Sequence, residues 1–248
     1  MTSMRQYTGK HLVAFLRGKN YAHAGEEEAI SIVLDEFPKK NDRVILDVGC
    51  GLGETANFIQ KNGWGLVTGF DIEKESIDYA KKHYPDIAFF ISDVNTIQNT
   101  IKTQFDISCL FNSFYSFHNQ EQALYSLNLV TKTGGTLVIF DYLDLCTATK
   151  NPLIKNNCQL PFIPINLNTI EKMLLKTGWV LSKRKIVNDE YEKWYTNLVT
   201  TILANKEKII EKFGKSIYDS AYCKYKLLLD ATTNKTLGGI IVYAQKLK

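Results

Sequence analysis

Several residue patterns are missing from this chain, and each absence removes a class of protein. There are five cysteines, Cys50, Cys109, Cys146, Cys158 and Cys223. The number is odd, no two stand in a C-x-x-C spacing, and none lies beside a pair of histidines. Such usage argues against a disulfide frame or a zinc site and predicts reduced thiols in an intracellular setting. No run approaches the ~20 apolar residues that would span a bilayer, and the opening MTSMRQYTGK lacks the apolar stretch of a secretory signal. Charge of one sign is also scarce, with 30 Lys and Arg against 26 Asp and Glu. The densest basic stretch, NKEKIIEKFGK (205–215), alternates Lys with Glu, as a solvated helix face does, rather than forming a phosphate-binding stripe. The expectations are a cytoplasmic protein with no nucleic-acid partner, no stable membrane association and no metal. With no long apolar patch to demand a dimer, a monomer is expected.

What is present is an alternation. The chain has 248 residues, 45% of them hydrophobic, which suits one large α/β domain. Apolar, β-rich runs at 43–48, 65–71, 87–92, 105–111 and 135–142 are separated by helical patterns near 54–62, 74–83 and 119–130. Strands alternating with helices predict a parallel sheet covered on both faces. An amphipathic segment over 9–37 precedes it and ends at Pro38. After Asp141 the character changes. LDLCTATKNPLIKNNCQLPFIP holds three of the five prolines and reads as a loop. A short helix capped by Gly178 and a strand follow. Two long helical patterns, 189–213 and 215–231, then precede a last strand in LGGIIVYAQKL. This helical excursion is too long for a simple connection and predicts a cap over a ligand crevice. The boundaries expected within the single domain are 1–40 for an N-terminal lid segment, 41–142 for the ligand-binding core, 143–236 for the loop and cap, and 237–248 for the last strand.

The stretch VILDVGCGLGETANFI (44–59) is the most informative. A strand ends in Asp47, glycines follow at 49, 51 and 53, and a helix begins. In an open parallel sheet, ligands sit beyond the carboxyl ends of the strands, and glycine serves where the backbone must turn tightly or touch the ligand. A dinucleotide site needs G-x-G-x-x-G, with its pyrophosphate at the helix start. Here Glu54 takes the position of the third glycine and would repel a pyrophosphate, which disfavours a nicotinamide-dependent oxidoreductase.

Asp47-x-Gly49-x-Gly51-x-Gly53 instead resembles motif I of the class I S-adenosylmethionine-dependent methyltransferases. The resemblance implies that Asp47, Gly49, Cys50, Gly51 and Gly53 form the cofactor loop, with Asp47 toward the cofactor's ammonium group. It implies that Asp71, in VTGFDIE, accepts the ribose hydroxyls. Asp93, in AFFISDV, would stand beside the adenine amino group, with Ile72 and Val94 sandwiching the ring and Phe111 closing the fourth strand. LVTKTGGTLVIFDY resembles the helix–turn–strand leading to the family's fifth strand, with Gly134 and Gly135 at the turn. The implied fold is a Rossmann-like, seven-stranded, doubly wound α/β sheet. Its last strand is antiparallel, with a helical lid before the sheet and a helical cap before the last strand.

The start, RQYTGKHLVAFLRGKNYAHAGEEEAI, resembles that of the small phosphoethanolamine N-methyltransferases. That likeness implies that Tyr7 closes over the cofactor and touches the methyl acceptor, with Gln6 beside it. It also implies that Tyr21, Ala22 and His23 line the cofactor's methionine end and that Tyr142 of FDY enters the acceptor pocket. Where that family has a histidine after strand four, this chain has Ser116, and Asn112 stands at an aspartate. His118 lies two positions later and is the candidate to replace the histidine. The implied catalytic set is Tyr7, His118 and Tyr142, acting on a small-molecule acceptor, an amine nitrogen for preference. After strand four the sequence is LFNSFYSFHNQ, not the N-P-P-Y signature of enzymes that methylate adenine or glutamine amides. Its aromatic residues suit a cationic or methylated amine. Tyr191, Trp194 and Tyr195 share a helix face, as a pocket roof or as core. The alternatives are an O- or C-methyltransferase of a lipid or quinone-like precursor and a non-catalytic cofactor-binding module.

Overall fold

The structure is a computed structural model that describes residues 6–146 and 162–247. Cys158 and most of the proline-bearing loop lie outside the described residues. The N-terminal segment folds as two helices, α1 (Tyr7–Arg17) and α2 (Glu26–Leu34), joined by a loop with Gly18 and Gly25 in the left-handed region. The alternating part follows as β1 (Val44–Val48), α3 (Glu54–Lys61), β2 (Leu66–Asp71), α4 (Lys74–His83), β3 (Ala88–Ile91), α5 (Ile97–Thr100), β4 (Phe105–Phe111), α6 (Gln120–Val130) and β5 (Thr131–Asp144). Then come α7 (Ile170–Lys176), β6 (Trp179–Ile186), α8 (Asn188–Ala204), α9 (Lys206–Phe213), α10 (Lys215–Thr233) and β7 (Leu237–Lys246). The seven strands lie in the order β3-β2-β1-β4-β5-β7-β6. β7 runs antiparallel to both β5 and β6.

Period-two alternation divides the strands between two cores. Ile45, Ile107, Cys109, Phe111, Val138, Phe140 and Tyr142 face α1 to α4 and the helical cap, while Leu46, Val48, Leu110, Leu137 and Ile139 face α5, α6 and α7. Asp47 therefore shares a face with Ile45 and Phe111, on the side that the N-terminal helices and the cap cover.

Two elements differ from the sequence reading. The helical pattern over 189–213 is broken at Asn205, whose side chain donates to the carbonyl of Thr201 (2.9 Å) and whose own carbonyl accepts from Ile209 N–H (2.9 Å). An asparagine that bonds its local backbone offers an alternative to the helical ladder. Gly134 and Gly135 do not form a free turn before a short strand. They lie inside β5, where the pairing with β4 slips from Phe105↔Thr131 to Ile107↔Thr136. Three more residues separate these pairs on β5 than on β4, and Gly134 takes φ 74° among them.

Candidate functional site

A cavity of about 460 Å³ opens at the carboxyl ends of β1, β2 and β4. Its floor is the loop after β1. Gly49, Gly51 and Gly53 have φ of 75°, 54° and 89°, a region costly for other residues. Gly53 is further constrained by packing, since a Cβ there would stand 2.9 Å from both the Ala80 Cβ and the Phe89 ring. The loop is held on β2: Gly49 N–H and Cys50 N–H both donate to Phe70 O (2.9 Å), and Gly51 N–H donates to Asp71 Oδ2 (3.0 Å).

Asp47 is buried at this floor. Burial, then the charge of Asp71, pushes its carboxyl up to about 7, with a backbone bond from Ala56 opposing. Its Oδ2 has no hydrogen-bond partner among the described residues. A buried carboxylate oxygen without a donor is costly, and Asp47 lines a cavity large enough for a ligand. The donor that would satisfy it is a cationic amine.

Asp71 and Asp93 end β2 and follow β3, and both line the cavity. Asp93 is exposed and accepts from Asn95 N–H (2.8 Å), capping the short turn at Val94–Thr96. Val94 is buried, whereas Ile72 is 70% exposed. Such an apolar side chain at a cavity rim gains by covering a flat ring. His23 is buried against Phe111, with ring centroids 5.2 Å apart. Its Nδ1 donates to Ala24 O (2.9 Å) and its Nε2 accepts from the Thr55 hydroxyl (3.0 Å). Burial lowers its pKa to about 3, so it is a neutral, oriented ring rather than a proton carrier.

Of the residues singled out in the sequence, Gln6, His23, Asp47, Gly49, Cys50, Gly51, Asp71, Ile72, Asp93, Val94, Phe111 and His118 line this cavity. Gly53 lies at the start of α3 behind it. Tyr7, Tyr21 and Tyr142 are not among its walls. The Tyr7 hydroxyl bonds His11 Nε2 (2.7 Å) on its own helix, and its backbone N–H donates to Glu73. Tyr21 turns its hydroxyl to Glu27 (3.3 Å), beside a separate cavity between α1, α2 and α8. Tyr142 is buried behind Tyr115 (centroids 4.8 Å apart), its hydroxyl paired with that of Tyr195. For Tyr142 the reason is packing: α8 lays Tyr191, Trp194 and Tyr195 into the core beside Phe140 and Tyr142. These three residues are core rather than an open pocket roof.

Lys10, Lys224 and Tyr225 are among the cavity residues that sequence reasoning missed, and Asn112 was noted there only for standing at an aspartate of the likeness. Asn112 directly follows β4, with φ 50°, and ties several segments together. It donates to the Tyr191 hydroxyl (2.8 Å) and to Asp141 (3.5 Å) and accepts from Ala24 N–H (3.0 Å). Lys10 comes from α1, and Lys224 and Tyr225 from α10, and they line the cavity with Tyr115, Ser116, Phe117 and His118. Nothing in the spacing of the glycine loop points to residues so distant in sequence.

Residues 46–139 match the methyltransferase domain family. Phosphoethanolamine N-methyltransferase 1 of Arabidopsis thaliana is 23% identical over 91% of this chain and 47% of its own length. Phosphoethanolamine N-methyltransferase 2 of Haemonchus contortus, solved with phosphomonomethylethanolamine and S-adenosylhomocysteine, superposes with a TM-score of 0.84 at 18% identity. That match covers all of this chain and 61% of the other. A cyclopropane synthase from Mycobacterium tuberculosis also gives 0.84, at 14% identity, over 98% and 96% of the two chains.

The fold is that of the class I S-adenosylmethionine-dependent methyltransferases. The chain spans about half the length of the curated relatives it matches. The cofactor that a methyltransferase domain implies is S-adenosylmethionine, and the residues present fit it. Asp47, with one unpartnered oxygen, lines the cavity and suits an ammonium, Asp71 can accept from hydroxyls, and Ile72 and Val94 offer apolar surface to a base. No helix among the described residues is long and apolar enough to cross a membrane.

Proposed function

We propose that this chain transfers a methyl group from S-adenosylmethionine to the nitrogen of a small amine bearing an anionic group, phosphoethanolamine being the leading candidate. The observation that carries the reading is the buried Asp47 carboxyl, one oxygen of it without a partner, in a cavity that Lys224 also lines. One end of the cavity suits the ammonium of the cofactor, and the other suits an anion on the acceptor. The substrates of the relatives point the same way.

The cofactor supplies an already electrophilic methyl on its sulfonium. The protein's own work is to align, desolvate and handle one proton. Asp47 and the loop would fix the amino-acid end, Asp71 the ribose, and Ile72 and Val94 the adenine. Phe111, Tyr115, Phe117 and Tyr225 would exclude water around the amine and favour the cation that forms as it is methylated. Lys224 would hold the anionic end. His118, exposed at the rim on the acceptor side, is the imidazole placed to take the proton that a protonated amine must lose before it attacks. His23 is held neutral and is assigned to orientation. Tyr7 and Tyr142, behind the walls, are assigned indirect roles, Tyr7 through α1 and Tyr142 through Tyr115. The protein is proposed to act in the cytoplasm as a monomer.

The test is mass-spectrometric product analysis with phosphoethanolamine, ethanolamine, free amino acids and lipid or quinone-like precursors as acceptors. Methylated phosphoethanolamine is expected, with Lys224→Met raising its KM at least ~10-fold and leaving S-adenosylhomocysteine affinity unchanged. Methylation confined to an oxygen or carbon acceptor would replace the amine reading. Cofactor binding without turnover of any acceptor would indicate a binding module.

A further inference from the structure

The ammonium of Lys10 occupies the position that the ribose of a bound cofactor needs. It donates to Asp71 Oδ2 (2.9 Å) and Ser76 Oγ (3.2 Å) and pairs with Glu73 Oε2 (3.0 Å). An ammonium has three donors, and all three are used. Burial alone would lower its pKa, but the two carboxylates outweigh that and hold it above the ordinary lysine value.

The count on Asp71 then matters. Oδ2 accepts from Gly51 N–H (3.0 Å) and from Lys10, and Oδ1 accepts from Glu73 N–H (3.0 Å). A carboxylate offers about four acceptor positions. With Lys10 in place, only the Oδ1 side retains room for a hydroxyl. A ribose diol donating to both oxygens must take the position Lys10 holds on Oδ2. Glu73 remains at 3.0 Å as a second partner for the displaced ammonium. Tyr7 N–H donates to the other oxygen of Glu73, so α1 need not leave the sheet.

We propose that Lys10 sets cofactor affinity as a built-in occupant of the ribose site. When the diol binds, the ammonium passes from Asp71 to Glu73, and α1 stays docked over the cavity. This inference rests on the cofactor reading above, with Asp71 as the ribose acceptor.

The experiment is titration calorimetry of S-adenosylhomocysteine with wild type, Lys10→Met, Glu73→Gln, the double variant and Asp71→Asn, beside thermal melts of the empty proteins. Lys10→Met should tighten binding about tenfold while lowering the melting temperature of the empty protein, because removing a competitor favours ligand and removing the ion pair disfavours the empty state. Glu73→Gln should weaken binding several-fold in the presence of Lys10 and have no effect in the Lys10→Met background. Unchanged or weaker binding by a folded Lys10→Met protein would overturn the proposal. So would a Glu73→Gln effect that persists without Lys10. Loss of binding in Asp71→Asn keeps the cofactor reading standing whichever way the Lys10 results fall. Wild-type affinity in Asp71→Asn would remove that reading, and this inference with it.

Discussion

At the scale of single residues, the chemistry concentrates in carboxylates taken out of water. Asp47 and Asp141 are both fully buried, and burial raises each from the ordinary 3.8 to about 7. Asp141 accepts backbone bonds from Tyr115 N–H (3.0 Å) and Tyr142 N–H (2.7 Å), whereas one oxygen of Asp47 has none. The sign of the pH dependence follows. Between about pH 4 and pH 7 the folded protein keeps protons that the unfolded chain has released, so the stability of the empty protein should fall as pH rises through that window and level off above it. Urea unfolding at several pH values measures this, and Asp47→Asn should remove a large part of the slope. A cationic amine at Asp47 favours the ionised form, so affinity for S-adenosylhomocysteine should rise as pH increases toward about 7, with a proton released on binding. Calorimetry in buffers of different ionisation enthalpy detects that proton. Asp47→Asn should weaken binding by ~1.5–3 kcal/mol, the worth of a charge-assisted hydrogen bond.

At the scale of elements, the N-terminal helices and the cap are interlocked parts of the core. Trp194 on α8 donates from Nε1 to Glu28 on α2 (2.9 Å), and a Cβ at Gly25 would stand 2.6 Å from its ring. Asn112 joins the same elements through Ala24 and Tyr191. Trp194→Ala should therefore destabilise by ~3–5 kcal/mol, seen as a lowered urea midpoint. If α8 were a detachable lid, the change would leave the midpoint unmoved. Tyr191→Phe, which removes only the hydroxyl that meets Asn112, should cost ~1 kcal/mol. Most elements were legible in the sequence: 74–83 and 105–111 match α4 and β4 residue for residue. The misses have local causes. Asn205 breaks a helix by bonding its local backbone, and β5 begins before Gly134 and runs through it with an irregular register where a turn was expected.

At the scale of the whole molecule, the cavity is where segments distant in sequence meet: α1, the loop between α1 and α2, the ends of β1, β2 and β4, and α10. A ligand filling it should brace all of them. With S-adenosylhomocysteine at 100 times its Kd, the linkage gain is ~2.7 kcal/mol. For a chain of this size that predicts a rise in melting temperature of roughly 5–10 °C, measurable by differential scanning fluorimetry.

The sequence by itself determined the parallel sheet, the glycine loop and the three acids at strand ends. These depend on local rules: apolar period, backbone freedom and the position of a residue relative to the end of its strand. The tertiary structure alone decided what faces the cavity from elsewhere. It turned Tyr7 toward His11 and Tyr79, and it set Tyr142 behind Tyr115, where the aromatic face of α8 fills the space beside it. It also brought Lys10 onto Asp71 across 61 residues of chain and Lys224 to the cavity wall. Such placements follow from how helices pack on a sheet, and side-chain volume and charge pairing across long separations carry no periodicity along the chain.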